Sequence, residues 1–235
     1  MTATYDAHSL AALEAAPVRT SREALPVDAD AQVLATLSKM SEYVLEDAHF
    51  PLIQQTATRL KAQIEAQGAV TPYSVGQALF EEANRKLTFT LDQNTAEAHG
   101  LEDRENIVEV LTRPADVELL YQRQQAPVLG DCDDFSMYVL AVAKALADLG
   151  LPISHIRFVT IAAQPGNPDY SHVYTRINVN DQTIAIDASH GAEAGWEAIN
   201  QASRVQEVAP EGAMTQGTML AMLGIGLGLY WLLRG

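Results

Sequence analysis

The stretch from Gly130 to Pro152 specifies one buried helix from end to end, and the rest of the chain has to be arranged around it. Asp131 offers a side-chain acceptor at the N-cap, and Asp134, three residues on, completes an approximate capping box. Phe135, Tyr138, Val139, Val142, Leu146 and Leu149 then recur at helical spacing, the pattern of a face turned to a core. Gly150 and then Pro152 end the helix in the order expected at a C-terminus. Cys132 falls on the first helical position. It is the only cysteine of the chain, so no intrachain disulfide can form, which suits a reducing compartment.

After this helix the pattern alternates. Residues 153–162, 172–179 and 183–187 read as strands, with Gln164-Pro165-Gly166-Asn167-Pro168 separating the first two. Helix, strand, loop, strand, tight turn, strand is an α+β unit with an antiparallel sheet. If Val179-Asn180 make a two-residue turn, His172 stands directly opposite Asp187. A register displaced by two residues leaves them diagonal neighbours on one face, whereas a displacement by one parts them onto opposite faces.

Upstream, residues 1–28 lack sustained periodicity and read as an arm without the basic leader of a secretory signal. Residues 29–70 form a helical extension. Val33, Leu37, Met40 and Val44 share one helical face, Pro51 interrupts or kinks the run, and Ile53, Ala57, Leu60 and Ile64 resume it until Gly68. The main domain spans 71–210. It opens on Thr71 as N-cap and Pro72 at the first helical position, with a short strand at 87–91 and an acidic surface loop at 92–106. The formal net charge is −15, with no basic face to neutralise phosphates, so a nucleic-acid partner is not expected.

A thiol at a helix N-terminus is stabilised as thiolate by the helix dipole. The flanking aspartates oppose that, so an imidazolium partner is required. Asp131 and Asp134 are expected to turn their carboxylates to backbone N–H groups, and Asp133 to point into solvent. His172 is the candidate imidazole and Asp187 the carboxylate that orients it, which completes a nucleophile, base and orienter set. His155 shares a strand face with Arg157 and is read as exposed or structural. His190, just past Asp187, is within range of the cleft but is given no role. No His/Cys spacing fits a zinc site and no glycine-rich phosphate loop occurs, so neither metal nor cofactor is expected.

Three segments, GDCDDFSMYVLAVAKALADLGLP, SHVYTRINVN and IAIDASHG, resemble in order the Cys, His and Asp boxes of the transglutaminase-like cysteine peptidase superfamily. The likeness is closest to its bacterial and phage branch and covers about residues 72–190. It implies a papain-like core whose helix, opened by the cysteine, packs on the antiparallel sheet carrying histidine and aspartate. The implied chemistry is acyl transfer from an amide through a thioester, to water or to an amine, on a peptide or protein substrate. The catalytic residues carried over are Cys132, His172 and Asp187. A second oxyanion donor is expected ahead of the cysteine, where Tyr121, Gln124 and Gln125 are available; Gln125 is the choice made here.

The chain ends in an uncharged run of 22 residues from Gly212 to Leu233. As a helix it reaches about 33 Å, enough for a hydrocarbon core of about 30 Å. A hydrophobic C-terminal helix over 212–234 is therefore expected, with Tyr230 and Trp231 at the interface and Gly224 and Gly228 as a contact face for a second copy. The competing expectation is a buried or protein-docking tail. Two function classes follow. One is a membrane-tethered cysteine hydrolase, otherwise cytoplasmic. The other is a structural phage virion protein that keeps the fold as a scaffold and docks its tail in a membrane or capsid.

Overall fold

The computed structural model describes residues 20–21, 28–92, 94, 110–199 and 202–211. Most of the N-terminal arm, most of the 92–106 loop and the whole C-terminal helix expected at 212–234, with Gly224 and Gly228, lie outside them. Among the described residues no helix is long and apolar enough to cross a membrane.

Helix α1 (Ala29–Asp47) is capped by the Asp28 carboxylate, which accepts the Ala31 N–H at 2.9 Å. Phe50 and Pro51 do more than kink it: they open a second helix, α2 (Pro51–Ala66), with proline at its first position. Gly68, at φ 110°, carries the chain onward. Thr71 and Ser74 close a capping box at the head of α3 (Pro72–Lys86). Strand β2 (Leu87–Phe89) follows directly. Two short strands, β1 (Thr20–Ser21) and β3 (Leu111–Thr112), pair antiparallel. Helix α4 (Pro114–Gln124) leads into β4 (Val128–Gly130), which pairs parallel with β2.

Helix α5 (Cys132–Asp148) begins and ends where its sequence signals place it. Asp131 and Asp134 exchange the two bonds of a capping box, and every residue from Phe135 to Ala143 is buried. Strands β5 (Ile153–Ile161), β6 (His172–Val179), β7 (Gln182–Ile186) and β8 (Val205–Val208) form one antiparallel sheet in the order β7-β6-β5-β8. The fold is thus α+β, with five helices and a four-stranded antiparallel sheet among the described residues.

Helix α5 packs against β5 and β6, and α3 against β7. Close approach at the latter seam depends on Gly76, since a Cβ there would stand 2.7 Å from Ile184 Cδ1. Leu37, Met40, Val44, Ile53 and Ile64 of α1 and α2 belong to the same apolar cluster as α5 and the inner sheet face. The outer face carries a smaller cluster of Val159, Ile161, Tyr174 and Ala185.

Inside the helical layer lies a polar knot. Glu118, 1% exposed, takes Lys86 Nζ at 2.6 Å, the Tyr138 hydroxyl at 2.6 Å and the Thr56 hydroxyl at 2.7 Å. Four helices are stitched together through one carboxylate. A neighbouring buried carboxylate, Glu82, is held by Arg59 and Arg85.

Candidate active site

The capping box fixes the head of α5. Asp131 Oδ1 accepts the Asp133 N–H at 3.0 Å, and Asp134 Oδ2 accepts the Asp131 N–H at 3.2 Å. The other Asp134 oxygen accepts the Thr112 N–H at 2.7 Å, tying β3 to the helix. Gly130 is required here, because a Cβ would sit 2.7 Å from Asp134 Oδ2. Cys132, half-buried, therefore has its place set by backbone bonds on both sides. One turn on, the Ser136 hydroxyl donates to the Val173 carbonyl at 3.3 Å, which seats the start of α5 against the start of β6.

That contact puts Cys132 and His172 on the same open cleft, of about 310 Å³. Its floor and far side are Asp131, Cys132, Asp133, Thr160 and residues 170–173. Gln32, Val33, Thr36, Leu37 and Met40 of α1 form the facing wall. The apolar stripe of α1 thus serves the cleft as well as the core.

His172 Nε2 lies 2.7 Å from Asp187 Oδ2. A carboxylate only accepts, so Nε2 carries the proton and Nδ1 is the nitrogen left to exchange one. Asp187 is 1% exposed and fully engaged, its Oδ1 accepting the Ser189 hydroxyl at 3.0 Å and the His190 N–H at 3.1 Å. The hairpin that presents the pair differs from the expected register by two residues. Val179 pairs with Gln182, so the turn is Asn180-Asp181, at φ 50° and 61°. Two positive φ values define a type I′ turn, which Asn and Asp tolerate and β-branched Val179 does not. His172 and Asp187 are consequently diagonal neighbours on the outer face.

Electrostatics at the cysteine depart from the simple picture of three repelling carboxylates. Burial, reinforced by Asp133, Asp134 and Asp92, pushes the Asp131 carboxyl up to about 10. Burial likewise raises Asp134 well above the usual carboxylate range, outweighing its two backbone bonds. Both shifts favour the neutral carboxyl, which weakens the repulsion these two groups exert on a thiolate. Asp133 is a correction: it does not point to solvent but lines the cleft, with Oδ1 3.6 Å from Cys132 Sγ.

Gln125 is a second correction. It is the αL C-cap of α4 (φ 52°), exposed, with its amide nitrogen turned back to the Gln122 carbonyl, and it is not among the residues lining the cleft. Helix-end geometry holds it there. His155 is exposed in a β-bulge, at φ 48°. His190, given no role from the sequence, packs its ring edge-on to His172 at 4.6 Å and to Phe89 at 4.8 Å.

Two groups of donor atoms are close enough to share a cation: Asp131, Cys132 and Asp133, and His172, Asp187 and His190. In the second group His172 Nε2 is bonded to Asp187, and His190 Nδ1 to the Ser189 hydroxyl. The chain matches no protein-family model, and no curated protein matches it.

Proposed function

We propose that the chain is a cysteine-dependent amide hydrolase or acyltransferase with a papain-like, transglutaminase-like core. One observation carries this reading: the head of α5 offers Cys132 to the same cleft that receives His172, already paired with buried Asp187. A helix N-terminus and an oriented imidazole are what an activated thiol needs.

In the proposed cycle the Cys132 thiolate attacks an amide carbonyl, and the Cys132 N–H donates to the oxyanion. As the tetrahedral species collapses the C–N bond breaks, His172 gives its proton to the departing amine, and a thioester to Cys132 remains. Water or a second amine then attacks the thioester while His172 takes the proton back, and the thiolate is released. Asp187 holds the imidazole tautomer throughout. Asp131 and Asp134 supply the capping bonds, and their burial, by favouring the neutral carboxyl, lessens the charge that would oppose the thiolate.

The substrate is a peptide or protein amide that reaches Cys132 along the α1 wall. The apolar run at 212–234 is proposed as a membrane anchor, with Gly224 and Gly228 as its contact face. Labelling with a thiol-reactive amide mimic tests the assignment. The wild-type chain should label, and Cys132→Ala and His172→Ala should not; equal labelling of His172→Ala would leave a scaffold with a bystander thiol.

A further inference from the structure

His190 stands where the cysteine-bearing and histidine-bearing halves of the site meet. Its ring lies between Phe89, whose strand pairs at that residue with Gly130, and His172. The Ser189 hydroxyl bridges 3.0 Å to Asp187 Oδ1 and 2.9 Å to His190 Nδ1. Because the Asp187 carboxylate only accepts, Ser189 must donate to it, and its oxygen then accepts from His190 Nδ1–H. The chain converges on Asp187, which accepts from Ser189 on the His190 side and from Nε2–H of His172 on the other.

We propose that His190 is a positioning residue for this site, fixing the plane and tautomer of His172 by edge-on packing and by the Ser189–Asp187 chain. The inference rests on the Cys132–His172–Asp187 reading. Edge-to-face contact at 4.6 Å restrains the rotation that the single Nε2 bond leaves free, which keeps Nδ1 aimed at the cleft. The groups that face His190 are His172 from β6, Asp187 beyond β7, and uncharged Phe89 from β2. Partial burial and the adjacent His172 lower its affinity for a proton, against the pull of Asp187.

His190 is exposed, so replacing it leaves no hole in the core. Iodoacetamide alkylation of the full chain at pH 7 should slow about tenfold in His190→Ala, within the range that misplacing a catalytic group can cost. His190→Phe, which keeps a ring against Phe89 and His172, should recover part of the rate. In a Cys132→Ala background, the NMR signals of the His172 ring should respond as His190, 4.6 Å away, takes up a proton, a response that His190→Phe abolishes. Wild-type alkylation in His190→Ala, or an unchanged His172 response in His190→Phe, would overturn the proposal. Failure of the underlying site looks different: His172→Ala would then alkylate at the wild-type rate.

Discussion

His172 and Asp187 are hydrogen-bonded at 2.7 Å although they are not cross-strand partners. The last ladder pair is Thr175 with Ile186, so the register carried one step further sets Asp187 beside Tyr174. The contact is diagonal, across a strand end, and Asp187 keeps it by being anchored from its own loop. Gly191 closes that loop, its N–H donating to the Asp187 carbonyl at 2.8 Å, where a Cβ would come within 2.5 Å of the same oxygen.

Removing the anchor should damage stability and reactivity together. Asp187→Ala strands the donors of His172, Ser189 and His190, and an unsatisfied buried donor costs about 1–3 kcal/mol. The denaturation midpoint should fall accordingly. Thiol alkylation at neutral pH should slow on the order of 10²-fold, the scale of a misplaced catalytic group. A stable variant with an unchanged alkylation rate would show that the aspartate orients nothing.

The knot at Glu118 should separate stability from chemistry. Glu118→Ala leaves the Lys86 ammonium buried without its partner, which costs about 3–5 kcal/mol. Tyr138→Phe removes one bond to the same carboxylate and should cost about 1.5–3 kcal/mol. Urea unfolding measures both, and the folded fraction of Tyr138→Phe should alkylate at the wild-type rate, because Tyr138 lies within the helical layer and does not line the cleft.

The acidic residues at the head of α5 set a pH dependence. Asp131 and Asp134 hold their protons more tightly when folded than the roughly 3.9 of an unfolded aspartate. The folded state therefore binds more protons, and these groups stabilise it fully below about pH 4. Their contribution is lost as pH rises toward the folded value, about 10 for Asp131. Asp134→Asn cannot ionise. Its urea midpoint should lie below wild type at pH 4–5, where one backbone acceptor is lost, and decline less steeply toward pH 9. Parallel profiles would mean that Asp134 is ionised in the folded protein.

The apolar tail is proposed as an anchor; the last described strand, β8, ends at Val208. Deleting residues 212–235 should free the chain from membrane fractions and leave its melting temperature and thiol reactivity unchanged. Loss of folding on deletion would make the tail part of the core.

Much of this was legible where the signals are local. Both ends of α5, the N-cap at Thr71 and the strands at 153–161 and 172–179 follow from caps, glycines and alternation within a few residues. Short β4 and β8 were not foreseen, since three or four residues become strand only through a partner elsewhere. Helix α4 was missed despite Pro114 at its first position and Asp116 in its first turn. Alternation leaves the hairpin register open between direct and diagonal pairing, and the left-handed tolerance of Asn180 and Asp181 over Val179 selects the diagonal one. Lys86 and Glu118 are 32 residues apart, and no spacing rule brings them together. Ser189-His190 directly after Asp187 was the available sign of the extended hydrogen-bond chain. The upward shift of Asp131 and Asp134 depends on burial, which a run of aspartates on its own argues against.

The central claim, that Cys132 and His172 act as a pair, is tested most directly by the rate of iodoacetamide alkylation against pH. The helix N-terminus and a protonated His172 stabilise the thiolate; Asp133, 3.6 Å from Cys132 Sγ, opposes it, and burial lessens the opposition of Asp131 and Asp134. Reactivity should therefore persist below the free-thiol value of about 8.5, as a shoulder or plateau near or below neutrality that disappears in His172→Ala. A single titration close to that value, unchanged by His172→Ala, would contradict the pair.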